Sequence, residues 1–324
     1  MYPVFLIGGF GRSGTGAIHQ LLRTHNKIFA LPNYEFRLLT DPDGLLSLKS
    51  AVVDNWNIFQ VDFALTRFIK IFNNLGSNYS GPYVRSNFNK FFGKSYMEAL
   101  DQFLIDLGLV EYKGLWAGKS KLKQKLILKI TKQNKLLIGN PKIRYCNNLT
   151  DKEFFIYSQK LVQRMHENCM LDSKKSFILL NEPNSTQNVQ SSMELSGAEK
   201  IIIVYRDPRD AFASFRTKDW SPTKISDAIN YFKSVYNRWF IEKEKISNNN
   251  ICEIKLESLV NDSSKQLDKL SEFLNIDINI NLIEKSNFSP KNAHIGRWKN
   301  DFSIKEKDNI NSAFSQILNY YDYS

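Results

Sequence analysis

Cysteine is scarce in this chain: three residues in 324, Cys146, Cys169 and Cys252, odd in number and far apart. That spacing excludes a disulfide framework and the usual zinc ligand sets, and it points to a reducing compartment without a structural metal. Long apolar runs are also missing, so a transmembrane span is not expected. The apolar stretch Val4–Gly9 is too short for the core of a signal peptide and leads directly into a turn, so a soluble, cytoplasmic protein is expected. Internal repeats and long low-complexity tracts are absent, which excludes solenoid and linker-like architectures. Acidic residues fall short of basic ones, 33 against 44, leaving a formal charge of +11 that requires an anionic partner or a solvated basic face. What is present is 42% hydrophobic and 13% aromatic content, enough for a substantial core in one large α/β domain.

Two apolar strands each run into a turn suited to an anion. Val4–Gly9 is followed by Phe10-Gly11-Arg12-Ser13-Gly14-Thr15-Gly16 and then by the helical Ala17–Leu22. A glycine-rich turn that opens a helix aims unpaired N–H groups and the positive end of the helix dipole at an anion. Ile201–Tyr205 is followed by Arg206-Asp207-Pro208-Arg209-Asp210 and a helix carrying Ser214. One ligand with two separated phosphate-like groups would use both turns. The second turn also has a plain structural reading, with Asp207 as helix cap, Pro208 at the first helical position and the arginines in surface ion pairs.

The first turn departs from a nucleoside triphosphatase P-loop, G-x-x-x-x-G-K-[ST]. With Gly9 and Gly14 as the two glycines, Thr15 stands at the lysine position and Gly16 at that of the metal-binding hydroxyl, while the cation has moved to Arg12. Such a turn is poorly equipped to transfer a magnesium-bound phosphate.

Arg12-Ser13-Gly14-Thr15, together with Arg206 and Ser214 eight residues later, resembles the cofactor sites of sulfotransferases that use 3′-phosphoadenosine 5′-phosphosulfate (PAPS). Ile295-Gly296-Arg297-Trp298-Lys299 is similar to the loop that closes over the cofactor in that family, and Leu256-Glu257-Ser258-Leu259-Val260 resembles a further landmark between them. The order and separation of these segments fit, and roughly residues 40–175 lie outside the resemblance. It implies a three-layer α/β fold with a mostly parallel sheet. It also implies a 5′-phosphosulfate held without metal by the turn Gly11–Gly16, with Arg12, Ser13 and Thr15, and a 3′-phosphate held by Arg206 and Ser214. Gly296 and Arg297 would assist from the closing loop, with Trp298 as a wall for adenine or as plain core. The implied product is 3′-phosphoadenosine 5′-phosphate.

Sulfuryl transfer to a hydroxyl needs a base for the acceptor proton. Glu35, in Leu31-Pro32-Asn33-Tyr34-Glu35-Phe36-Arg37, lies 23 positions after Arg12, similar to the glutamate of sulfotransferases that act on carbohydrates. It is the candidate base, with Arg12 at the reacting group and a sugar or glycolipid as the expected acceptor. The plain alternative is an ion pair between Glu35 and Arg37. His19 and His25 fall within or just after the first helix, His166 is a minor rival base, and His294 precedes the closing loop. Many relatives carry a lysine before a proline after the third strand, whereas this chain reads Asn181-Glu182-Pro183. Either Arg12 acts alone at the leaving phosphate, or Glu182 has become a second acid/base or acceptor contact, or it simply enters the next helix. Two other functions stay open: a degenerate P-loop nucleotide kinase, and an inactive scaffold that keeps the PAPS pocket.

The chain is expected to form a single domain over 1–324, in which roughly 40–175 make a mainly helical, acceptor-binding insertion. Strands are expected at Lys27–Leu31, Ser176–Leu180 and Ile251–Lys255. Helices are expected near Phe63–Leu75, Tyr96–Leu107, Lys152–His166, Ser185–Leu195 and Ser226–Ile246. The block from Lys113 to Lys135 alternates lysines with Leu122, Leu126, Ile127, Leu128 and Ile130 and reads as a basic amphipathic helix. It is either a solvated face or, through Lys119–Lys135, a contact for an anionic polymer or membrane surface. Nucleic acid is not expected, because no aromatic residues are interleaved there as a stacking platform.

Overall fold

The computed structural model describes residues 1–32, 35–77, 86–114, 116, 142–286 and 288–323. The chain divides into two compact units, Met1–Thr40 with His166–Ser324, and Asp41–Met165.

The first unit is built on a five-stranded sheet. Its strands are β1 (Val4–Gly9), β2 (Ile28–Ala30), β5 (Phe177–Asn181), β6 (Ala198–Tyr205) and β7 (Ile251–Lys255), in the order β2-β5-β1-β6-β7. Every pairing is parallel, with Leu6 opposite both Leu180 and Ile201. Strands covered on both faces cannot alternate, which is why β1 and most of β6 read as unbroken apolar runs. Helix α1 (Thr15–Arg23) returns over the sheet and buries Ile18, Leu21 and Leu22 in a core shared with Phe5, Ile7, Ile202, Val204 and Ile254.

The second unit contains α2 (Leu45–Lys49), α3 (Ile58–Gly76), α4 (Phe88–Phe92) and α5 (Lys94–Asp106). In α3 the buried residues Val61, Ala64, Leu65, Phe68, Phe72 and Leu75 recur at helical spacing. Tyr96 stacks on Phe72 at 4.2 Å and donates its hydroxyl to the Phe72 carbonyl at 2.7 Å. The expectation of a mainly helical stretch needs one correction, an antiparallel ribbon of β3 (Val110–Lys113) and β4 (Lys142–Tyr145). Lys113, read with the lysine block as helix, lies in β3, where Val110 and Tyr112 alternate with charged residues. Glu111 accepts cross-strand pairs from Arg144 at 2.8 Å and from Lys142. The remainder of the expected basic helix, including Lys119–Lys135, falls outside the described residues.

Helix α6 (Asp151–Ser173) outruns the expected Lys152–His166 at its C-terminal end. The expected helix near Ser185–Leu195 is a 3-10 turn, Ser185–Gln187, followed by α7 (Val189–Ser196). Then come α8 (Pro208–Arg216), α9 (Ile225–Lys243), α10 (Leu256–Asn261) and α11 (Ser263–Leu274), with short helices to the C-terminus. Among the described residues no helix is long and apolar enough to cross a membrane.

His19 is buried in α1, and its Nε2 finds no hydrogen-bond partner among the described residues. Burial, reinforced by the charge of Arg23, lowers its pKa from 6.5 to about 4. Between those values the unfolded chain binds a proton that the folded chain refuses, so stability rises with pH there and falls on acidification. Urea denaturation is expected to lose up to about 3 kcal/mol from this group between pH 6.5 and 4. His19→Leu should flatten that slope, leaving a remainder from His25, whose pKa is also lowered, by burial above all.

Candidate active site

Three loops leave the carboxyl edge of β5, β1 and β6, the edge at which open parallel sheets bind ligands. The first links β1 to α1. Gly9 must be glycine, because a Cβ there would stand 2.3 Å from Ser13 Oγ and 3.0 Å from the Val204 carbonyl. Gly14 has φ +102, and its Cβ would press on Leu256 at 2.9 Å. Arg12 also takes the left-handed conformation, with φ 59, which is uncommon for a residue with a side chain and is found at strained functional turns. Ser13 is buried, and its Oγ accepts the Phe10 N–H at 3.2 Å, so this hydroxyl is engaged inside the turn. Thr15 and Gly16 open α1, which has neither a side-chain N-cap nor an acidic residue in its first turn. Its positive end is left for an external anion.

The second loop follows β6. Asp207 caps α8 by accepting the Arg209 N–H at 2.9 Å, with Pro208 at the first position. Arg209 folds back on the Asp207 carboxylate at 2.8 Å, and its guanidinium lies over the Trp298 ring at 4.2 Å. Arg206 donates through Nη2 to the His294 carbonyl at 3.2 Å, while its buried Nε has no partner among the described residues. Ser214 lies on α8, where its Oγ accepts from Arg12 Nε at 3.0 Å, a bond that ties the two turns across 202 residues of chain.

The segment 294–298 closes on this pair. Gly296, at φ 78, and Trp298 donate their N–H groups to Asp210, and Arg297 pairs with Asp301 at 2.6 Å. Arg12, Arg206 and Arg297 lie near enough to act on one another. The Arg12 pKa is lowered by burial first, then by the charges of Arg206 and Arg297, and is raised by Glu35. A guanidinium stays protonated through such a shift, so positive charge is concentrated around Arg12, on which one carboxylate acts in the opposite sense.

Glu35 is that carboxylate. It stands 3.9 Å from Arg37 with its side chain 45% exposed. The segment that carries it is fixed by the third loop, after β5. Phe36 donates its N–H to the Asn181 carbonyl at 2.9 Å, and Leu39 donates to Glu182 Oε1 at 3.2 Å. Glu182 is 2% exposed, so its carboxylate holds backbone and does not merely lead into the next helix. The adjacent Thr186 donates to the Gly9 carbonyl at 2.6 Å and Gly9 donates to the Pro183 carbonyl at 3.1 Å, joining this loop to the first. His166 is buried against Phe29 and Phe36, and His19 lies inside α1.

The expected cofactor residues and Glu35 are therefore in one unit, around the ends of β1, β5 and β6. Sequence reasoning missed Asp210, Thr186 and the Glu257 carboxylate, which accepts the Asp207 N–H at 2.8 Å and the Tyr323 hydroxyl at 2.8 Å. Glu257 stood inside a segment already noted for its resemblance, but its role depends on a partner fifty residues away.

A family model described as the sulfotransferase family matches residues 3–279. No curated protein matches the chain significantly. Among solved structures, the sulfotransferase domain from the curacin biosynthetic pathway is similar with 14% identity and a TM-score of 0.45, over 94% of this chain and 83% of its own. Sulfotransferase STF9 from Mycobacterium avium has 13% identity and a TM-score of 0.44, over 100% and 77%. The sulfotransferase domain of the Synechococcus PCC 7002 olefin synthase has 16% identity and a TM-score of 0.43, over 89% and 78%. At such TM-scores the family assignment rests on the family model.

The turn makes two glycines separable by experiment. Gly9→Ala is expected to lower the unfolding free energy by about 1–3 kcal/mol through overpacking. Gly16→Ala, where a Cβ meets nothing within 4 Å, should leave stability unchanged or raise it by about 0.5–1 kcal/mol. Urea denaturation of both variants checks the contrast.

Proposed function

The chain belongs to the sulfotransferase family, and from that premise we propose that it transfers the sulfuryl group of PAPS, the family's usual donor, to a hydroxyl of a sugar or glycolipid, with Glu35 as the base. The observation that carries the reading is the convergence on Arg12, which is bonded to Ser214, within electrostatic reach of Arg206 and Arg297, and faced by the charge of Glu35. The residues fit a doubly anionic donor. Among the described residues, Arg206 keeps a buried Nε without a partner, and an added Cβ at Gly11, Gly16 or Gly296 would meet nothing within 4 Å.

PAPS, when bound, supplies an activated sulfuryl group on its 5′-phosphate. The amides of Gly11–Thr15, the Arg12 guanidinium and the α1 dipole hold that end, and Arg206 with Ser214 holds the 3′-phosphate. Arg297 adds charge from segment 294–298. Glu35 takes the acceptor hydroxyl proton as the acceptor oxygen bonds to sulfur and the bond from sulfur to the 5′-phosphate oxygen breaks, and Arg12 offsets the negative charge left on that phosphate. Glu182 positions the Glu35 segment from behind. None of the three cysteines is in a disulfide, in keeping with a reducing compartment, and the proposal sets the reaction in the cytoplasm.

Calorimetric titration with 3′-phosphoadenosine 5′-phosphate is expected to show binding that needs no metal and collapses in Arg206→Ala. A preference for magnesium-ATP would favour a nucleotide kinase instead. Glu35→Gln is expected to lower kcat by about 10²–10⁴-fold, the usual worth of a general base, while bisphosphate affinity stays near wild type. Unchanged turnover in that variant would remove Glu35 from the role.

A further inference from the structure

Asp210 occupies the third position of α8, where an acidic side chain ordinarily serves the free N–H groups and dipole of its own helix. Its carboxylate instead leaves the helix. Oδ2 accepts the Gly296 N–H at 2.7 Å, and Oδ1 accepts the Trp298 N–H at 3.0 Å. Oδ2 also lies 3.4 Å from Arg206 Nη2, and the Asp210 side chain is only 1% exposed. The same Nη2 donates to the His294 carbonyl at 3.2 Å. A closed circuit results, running from Arg206 to Asp210, through the backbone of segment 294–298, and back to Arg206. The left-handed conformations of His294 (φ 47) and Gly296 (φ 78) belong to the same short segment.

We propose that Asp210 is the positioning residue of the 3′-phosphate subsite, locking segment 294–298 and the Arg206 guanidinium into one arrangement before ligand arrives. The proposal rests on the reading of Arg206 as the 3′-phosphate arm. A carboxylate beside that arginine weakens its attraction for an anion. It is retained because a guanidinium on a long, rotatable stem and a loop without its own ladder are both costly to order at the moment of binding. Burial of the carboxylate is tolerable because charge-assisted hydrogen bonds surround it. Held by Nη2, the guanidinium keeps its buried Nε without a partner among the described residues.

The test uses the full chain, with Asp210→Ala and the milder Asp210→Asn. Amide hydrogen exchange without ligand should be faster at Gly296 and Trp298 in both variants, by roughly tenfold or more in the alanine variant, because both N–H groups lose a buried acceptor. Titration with 3′-phosphoadenosine 5′-phosphate should weaken by roughly 10–100-fold, the cost of lost preorganisation at a charged contact. Adenosine 5′-phosphosulfate, which has no 3′-phosphate, should lose much less; a general loosening of the fold would weaken both ligands alike. Unchanged exchange overturns the proposal, as does unchanged or tighter bisphosphate binding in a folded variant, which would make Asp210 a bystander or a competitor of the ligand. Should Asp210→Ala fail to fold, the same two measurements on Asp210→Asn decide. A wild-type chain that shows no preference for the bisphosphate overturns the reading of Arg206 and the use proposed for Asp210. Even then the exchange rates report separately whether Asp210 holds the loop.

Discussion

Parallel hydrogen bonding of β1 to β5 on one side and β6 on the other is the constraint from which the rest of the site follows. Ile7 stands opposite Asn181 and Gly9 opposite Val204, so the three strands end at one edge. Residues 10–14, 182–186 and 206–210 are delivered there together although the first segment lies far from the other two in the chain. A parallel sheet has both faces covered, so its strands are apolar and polar chemistry is confined to the loops at its ends. A shift of register would separate Arg12 from Ser214 and break the 3.0 Å hydrogen bond that joins the two turns directly.

At that edge the charges are unequally spent. Arg209 is taken up by Asp207, Arg297 by Asp301, and Arg206 is shared with Asp210. Arg12 donates to a neutral hydroxyl while burial and two neighbouring guanidinium groups make its charge less comfortable. Positive charge that is partly desolvated and incompletely compensated is an unfavourable arrangement for the protein alone and a favourable one for a dianionic ligand. The left-handed conformation of Arg12 belongs to the same pattern of local cost at a functional turn.

Three buried carboxylates hold this arrangement, and all do so by accepting backbone N–H groups from remote segments. Glu182 takes Leu39, Asp210 takes Gly296 and Trp298, and Glu257 takes Asp207. A carboxylate removed from water needs donors, and a loop without a ladder needs acceptors, so each need meets the other. Glu257 also accepts from Tyr323, which brings the C-terminal residues into the support of the Arg206 turn.

The sequence by itself determined the α/β class, the strand–turn–helix order at both anion turns, and the identity of the charged residues in them. Unbroken apolar runs, glycines at a tight turn and an Asp-Pro helix start are local signals, written in contiguous residues. The β3–β4 ribbon was not legible, because its two four-residue strands lie far apart and Lys113 merged with a lysine-rich block whose remainder falls outside the described residues. Nor was the work of Asp210, Glu182 and Ser13. Asp210 reads as an ordinary first-turn acid and Glu182 as a loop residue. Ser13, expected to offer a hydroxyl to the ligand, also accepts the Phe10 N–H within the turn. Which polar group faces a ligand and which holds the backbone depends on long-range pairing and burial, and those exist only once the sheet has brought the loops together.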